Sequence, residues 1–261
     1  MKKLLRYRVV QRLGWICVLL LVWQGAVWSG RVSPLLLPAP RQVLETFLDR
    51  LLYGELAAQI GFSLAIILRG TGIALVASLG IALLSLYSKV FASFADTLCA
   101  LAHPLPAIAL LPLIIVWFGV GYPAVIAIIV HSTLWPLFLN LTAGLRATPR
   151  VYVECGKSLC SSPLWLLGHV YLPASASSFL AGMKIGWARA WRALISAEMI
   201  FGAVASSGGV GWFLFQNRVM MDTAGLFAGI FVVALIGMLV EELLRLAEQK
   251  TVVRWGVSAP Q

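Results

Sequence analysis

Apolar residues in this chain gather in long runs, with most of the polar residues in the gaps between them. Six runs stand out, at about 13–29, 64–87, 92–118, 123–141, 179–201 and 223–244. Runs of this length predict membrane-crossing helices, so the chain is read as an all-α polytopic membrane protein with six transmembrane helices in one domain, 1–261. The first run follows Lys2, Lys3, Arg6, Arg8 and Arg12, as a secretory signal would. It is long, rich in Trp and without a clear small-residue cleavage site, so a retained span is expected. Residues 33–41, with Pro34, Pro38 and Pro40, predict an irregular connection, and Val43 to Leu52 predicts a mixed-charge helix outside the bilayer. Gly70, Gly72, Ser78, Gly80 and Ser85 make the second run suited to close helix packing. Pro104, Pro106 and Pro112 interrupt the third.

The longest polar gap in the second half, 142–176, holds a different pattern. Val151 to Leu159 predicts a short amphipathic helix, with Val151, Cys155 and Leu159 as its apolar stripe and Glu154 and Lys157 sharing another side. Pro163 is expected to limit further helix, and Leu172-Pro173 to mark a second break before the fifth run. A half-polar helix held between spans either lies flat on lipid or docks into a soluble partner.

Composition agrees with the membrane setting: 61% of residues are hydrophobic and only 11% charged, with a mean hydropathy of +0.92. A soluble chain would carry about 25% charged residues. The net charge of +10 comes with no separate basic domain, so it reads as orientation rather than nucleic-acid binding. Six spans put both termini on one side, which then receives twelve of the loop Lys and Arg residues. Arg31, Arg41, Arg50 and Arg218 fall on the other. That asymmetry predicts cytoplasmic termini and a cytoplasmic 142–176 loop. Cysteines at 17, 99, 155 and 160 form no CxxC pair, and free thiols are expected, with no metal site.

Glu154-Cys155-Gly156, then Cys160, then Val170-Tyr171-Leu172-Pro173 resembles the EAA loop of binding-protein-dependent ABC importer permeases. That motif runs Glu-Ala-Ala, three residues, Gly, nine residues, Ile-x-Leu-Pro. Cys160 stands where the family has Gly, and Cys155-Gly156 where it has two alanines. Further segments are similar to the nitrate/sulfonate/taurine branch: Leu37-Pro38-Ala39-Pro40, His103 to Pro106 through Leu113, Trp117 to Gly121, Ala190-Trp191, Ala197-Glu198-Met199, and Gly208 to Gly211. The resemblance covers the chain from about residue 37 and implies the type I ABC importer permease fold. It implies that Glu154, Cys155, Gly156, Lys157, Leu159, Cys160, Leu172 and Pro173 couple the membrane domain to an ATPase.

Other strings fail on context. Gly156-Lys157-Ser158 would need a Gly where Val151 stands to end a phosphate loop, and Gly119 to Ala124 matches G-x-G-x-x-A without a βαβ unit. No catalytic residue and no cofactor are expected on this chain; ATP and Mg²⁺ belong to a partner subunit. For the translocation pathway the candidates are Pro104, Pro106, Pro112, Trp191 and Glu198, because broken helices are where transporters often hold solute. Glu198, deep in the fifth run, costs roughly 2.5 kcal/mol or more unless partnered. It is expected to serve structure or gating by hydrogen bonding before it serves as a ligand. Arg189 and Arg192 point away from its face.

The resemblance implies an importer of a small anion of nitrate, sulfonate or taurine type, in a bacterial inner membrane. Two permease copies would work with two ATP-binding subunits and a periplasmic or lipid-anchored solute-binding protein, surrounded by membrane lipid. An ion-coupled secondary transporter is the alternative, and it should show internal repeats and paired intramembrane acids, which are not evident. A membrane enzyme would need a catalytic constellation, and His103, His131 and His169 form none. Cys160→Gly, which restores the family's residue, is expected to leave solute uptake and assembly intact; loss of assembly would overturn the alignment.

Overall fold

A computed structural model describes residues 2–159, 162–202 and 208–251. Cys160 lies outside the described residues. The described chain is helical, with no strand. It runs α1 Lys2–Trp28, α2 Pro40–Leu52, α3 Leu56–Tyr87, α4 Lys89–Ala102, a 3-10 turn Ala107–Leu110, and α5 Leu111–Phe118. Then follow α6 Tyr122–Arg146, α7 Arg150–Leu159, α8 Pro163–Leu166, a π turn Leu167–Tyr171, α9 Leu172–Phe201, α10 Val210–Val219 and α11 Thr223–Thr251.

The molecule is built on the pairing of α6 with α9. Lipid tails are as apolar as leucine, so helices associate in a bilayer by close packing rather than by escaping water. Small residues make that approach possible here. A Cβ added at Gly182 would stand 2.8 Å from the Cβ of Asn140 and 3.2 Å from the Pro136 carbonyl. One added at Gly186 would stand 3.0 Å from Thr133, and one at Gly144 2.7 Å from Ser178. Gly182 and Gly186 form a G-x-x-x-G on α9, so its backbone rests almost directly on α6. One turn earlier on α6, the Ile129 side chain packs onto Gly70 of α3, again with no room for a Cβ. The main buried cluster, including Ile67, Ile128, Ile129, Trp191 and Leu194, fills the space among α3, α6, α9, α10 and α11.

Four described helices are long and apolar enough to cross a membrane: Leu56–Tyr87, Tyr122–Arg146, Pro163–Phe201 and Thr223–Gln249. The third expected run is not one straight span. Lys89–Ala102 and Ala107–Phe118 meet at 93°, because His103 to Pro106 leave the helix where Pro104 and Pro106 cannot donate to it. Counting that bent pair as one crossing gives five. Gly14–Trp28 is apolar but shorter than a full crossing. Pro112 breaks nothing: it sits in the first turn of α5, where a missing N–H is harmless. Between α5 and α6, Gly119 and Gly121 take φ values of 73° and 139°, a reversal that side chains resist.

Two expected breaks also need correction. Pro163 begins a helix instead of limiting one. Leu172-Pro173 lies inside continuous helix, because the π turn before it absorbs the proline. The Leu172 N–H reaches back to the Leu167 carbonyl, five residues earlier, so the widened turn accommodates the ring and the missing donor of Pro173. Helix therefore runs unbroken from Pro163 to Phe201, where a start near 179 was expected. Likewise α3 starts at Leu56, ahead of the expected 64.

Gly182→Val is expected to lower stability by about 3 kcal/mol, since the atoms it meets are mostly backbone and cannot yield. Gly80→Val, at a position with open space, should cost under about 0.5 kcal/mol. Thermal unfolding of the two variants in detergent compares them, and equal midpoints would reject the α6–α9 seam.

Candidate functional site

The amphipathic helix of the 142–176 gap is α7. It buries one residue, Gly156, and turns the rest outward or half outward. A Cβ at Gly156 would lie 2.6 Å from Leu166 and 3.1 Å from Val170, so α7 is seated on α8 and the π turn at its glycine. The apolar stripe does not face this contact. Val151 is 64% exposed and Leu159 81%, and Cys155, Glu154 and Lys157 are exposed beside them. His169 stacks on Trp165 with ring centroids 4.6 Å apart and stiffens the same turn. Leu172 and Pro173 sit at the base of α9, away from the exposed stripe in sequence but joined to it through this seat.

Glu198, near the other end of α9, is 1% exposed and lies among helices rather than against a cavity. Ser63 of α3 donates its hydroxyl to the carboxylate, 2.7 Å from Oε1, and accepts the Val210 N–H at 2.9 Å. The Gly211 N–H donates to Oε2 at 2.8 Å. Two of the free N–H groups at the start of α10 are thus capped by side chains of α3 and α9. The Gly-rich stretch before α10 has its reason here. A Cβ on Gly209 would run into Glu198 and Ser63, and one on Gly211 into Glu198 and the Ile195 carbonyl. Trp191 is also packed: its indole N–H donates to the Val233 carbonyl of α11 at 3.1 Å, and its ring lies parallel to that of Trp187.

Pro104 and Pro106 do line a cavity, of about 430 Å³, at the elbow between α4 and α5 and against α6 and α9. Its polar lining is His103, His131, Ser132, Arg189, Arg192 and Ser196. Pro112, Trp191 and Glu198 are not part of it. Arg189 and Arg192 were set aside in the sequence because they point away from Glu198. Their position inside an apolar run was the signal, the same that singled out Glu198.

Residues 70–253 match the family described as "Binding-protein-dependent transport system inner membrane component". The chain belongs to that permease family. Across nearly its full length this permease is similar to the taurine transport system permease protein of Escherichia coli K12. The two are 31% identical over 95% of this chain and 90% of the relative. It is 30% identical to the putative aliphatic sulfonates transport permease protein of Bacillus subtilis 168, over 94% of this chain and 89% of that one. The nitrate import permease protein of Synechocystis PCC 6803 is 27% identical over 91% of this chain and 87% of its own. The permease is therefore a multi-pass membrane protein of the nitrate, sulfonate and taurine branch, as the EAA-like loop and span motifs implied.

In this permease Glu198→Gln keeps one acceptor oxygen for Ser63 or Gly211, at a cost of about 1–2 kcal/mol. Glu198→Leu strands both donors and should cost about 2–5 kcal/mol. Unfolding midpoints and solute uptake should follow that order; equal losses would reject the capping role.

Proposed function

We propose that this chain is the membrane subunit of an ATP-driven importer for a small anionic solute. Two copies form the channel, two ATP-binding subunits supply Mg²⁺-ATP hydrolysis, and an external solute-binding protein delivers the load. The termini and α7 face the cytoplasm, and the chain crosses six times, with α1 and the bent α4–α5 pair each counted as a crossing. Alternating access follows from movement of α7.

One observation carries this reading: α7 keeps its apolar stripe exposed while seating its single buried residue on the base of a continuous helix, Pro163–Phe201. A helix lying on lipid would also turn its apolar face away from the chain, so the choice between lipid and a partner rests on the EAA-like spelling of the loop and on the permease family. An exposed stripe bordered by Glu154 and Lys157 suits a groove on a soluble protein. Motion applied there passes through Gly156, Leu166 and Val170 into α9 without a flexible joint. The solute class is supported by the relatives named for taurine, aliphatic sulfonates and nitrate. The ion-coupled alternative finds no support in paired intramembrane acids, since Glu198 caps α10.

Glu154→Lys reverses the charge beside the stripe and leaves the Gly156 seat untouched. In reconstituted complexes it is expected to lower solute uptake about tenfold or more per ATP hydrolysed. Uptake unchanged from the parent protein would reject docking through α7.

A further inference from the structure

We propose that the elbow cavity between α4 and α5 is an anion-holding site, with the Arg189 and Arg192 guanidinium groups as its ligands for a monovalent oxyanion head. The inference rests on the importer reading above and assigns the solute's resting place within it.

The site lies near mid-depth. Arg189 and Arg192 fall beyond the middle of α9, Leu172–Phe201, and His131 before the middle of α6, Tyr122–Arg146. At 1.5 Å per residue, His131 is about 14 Å from the start of α6. Charge at such depth costs roughly 2.5–3.5 kcal/mol for each arginine on an insertion scale, and is retained where it faces a partner or a wet cavity. Among the described residues neither guanidinium has a carboxylate partner, and no Asp or Glu lines the cavity.

The hydrogen bonds leave the donors free for a ligand. Guanidinium is a donor only, so Arg189 Nη1 donates to His103 Nε2 at 3.0 Å, and that imidazole is the neutral form with its proton on Nδ1. His103 thus orients Arg189 without neutralising it. Arg192 spends its Nε–H on the Ala188 carbonyl at 3.0 Å, which holds the side chain along the helix and leaves its terminal N–H groups. The ring nitrogens of His131 are buried beside the Ala102 carbonyl and make no well-aligned hydrogen bond within the protein. Two full positive charges beside a buried imidazole, around 430 Å³, form a set that an oxyanion completes. A neutral solute would leave the guanidiniums uncompensated in a low-dielectric setting. Pro104 and Pro106 carry no backbone N–H, so neither proline adds a donor to the site.

The test uses the full permease, purified together with its ATP-binding subunit and titrated by calorimetry at constant ionic strength. The probes are sodium methanesulfonate, sodium nitrate and dimethyl sulfone, the last being the uncharged shape-mimic of methanesulfonate. At least one anion should bind and dimethyl sulfone should not. Arg189→Gln with Arg192→Gln should weaken anion binding about tenfold or more, the loss expected for a charge-assisted hydrogen bond, while Arg189→Lys with Arg192→Lys should keep most of it. The relative affinities of the two anions then say whether a sulfonate or a nitrate head fits better. Arg192→Gln alone, at an exposed position, serves if the double variant does not assemble. The site is overturned if dimethyl sulfone binds as well as the anions, if the Gln variants bind without loss, or if an assembled, ATP-hydrolysing complex binds neither anion. Failure of any ATP-binding subunit to co-purify would instead overturn the importer reading, and the same titration on the permease alone would still judge the cavity.

Discussion

Hydrocarbon offers no hydrogen bond, so every donor, acceptor and charge that this chain carries into the bilayer has to be answered by the chain itself or by something it encloses. Most of the described polar side chains obey by the shortest route. Ser78, Ser85, Ser132 and Ser196 bond carbonyls three or four residues back in their own helices. Glu198 cannot do so and is answered from two other helices at once: the Ser63 hydroxyl of α3, and from α10 the Gly211 N–H and, through Ser63, the Val210 N–H. That knot fixes where α10 begins relative to α3 and α9. Its tightness also explains glycine at 209 and 211, where a methyl group would occupy the space of the carboxylate or of the backbone beneath it. Lys184 is answered by Glu248 across α9 and α11. The buried groups left over among the described residues lie on α3 (Gln59, Thr71), α6 (His131, Thr133, Trp135) and α9 (Trp187), and among these His131 lines the elbow cavity.

What the sequence displayed, and what it withheld, follows from the range of each signal. Apolar run length is a local property, and it placed the helices that became α3, α6, α9 and α11. The spacing of Val151, Cys155 and Leu159 is equally local and placed α7. Helix ends were harder. A proline at 163 looks like a stop, yet at a first turn it is a start, and only the turn conformation around it decides which. Pro173 looks like a break, yet a π turn needs no sequence signature and makes it continuous. The right-angled elbow at His103 to Pro106 was visible as prolines but not as an angle. The Ser63 partner of Glu198 was not legible, since it is 135 residues away, and the Gly208 to Gly211 stretch stood out without showing that its Gly211 N–H meets the carboxylate. Arg189 and Arg192 were legible as intramembrane charges, but judging them only as partners for Glu198 hid their other possible role.

Three features that seem separate along the chain are mounted on one helix. Gly156 seats α7 on the turn that runs into the base of α9; Arg189 and Arg192 stand beyond its middle; Glu198 caps α10 near its far end. From Leu172, these stations lie about 26–30 Å and about 39 Å along the axis. A rigid α9 therefore cannot move at the α7 end without moving the elbow wall or straining the Glu198 knot. The seam with α6 resists sideways separation, because its contacts are backbone against backbone at Gly182 and Gly186. It resists sliding and rotation less, since glycines present few projections to interlock.

On the proposed importer reading, that difference in stiffness sets the direction of motion. Pulling α9 apart from α6 would open the seam and lose its close contacts. Turning α9 slightly about its own axis disturbs the seam less, loads the Glu198 knot, and carries Arg189 and Arg192 past His131 of α6. The exposed side of Arg192 and the half-buried side of Arg189 are then two positions on one arc. A small rotation changes how many guanidinium donors face the cavity, and with it the hold on an anion. Coupling by rotation needs no separate gate residue: the same helix that receives the push at its base tightens or releases the charge that it carries at mid-depth.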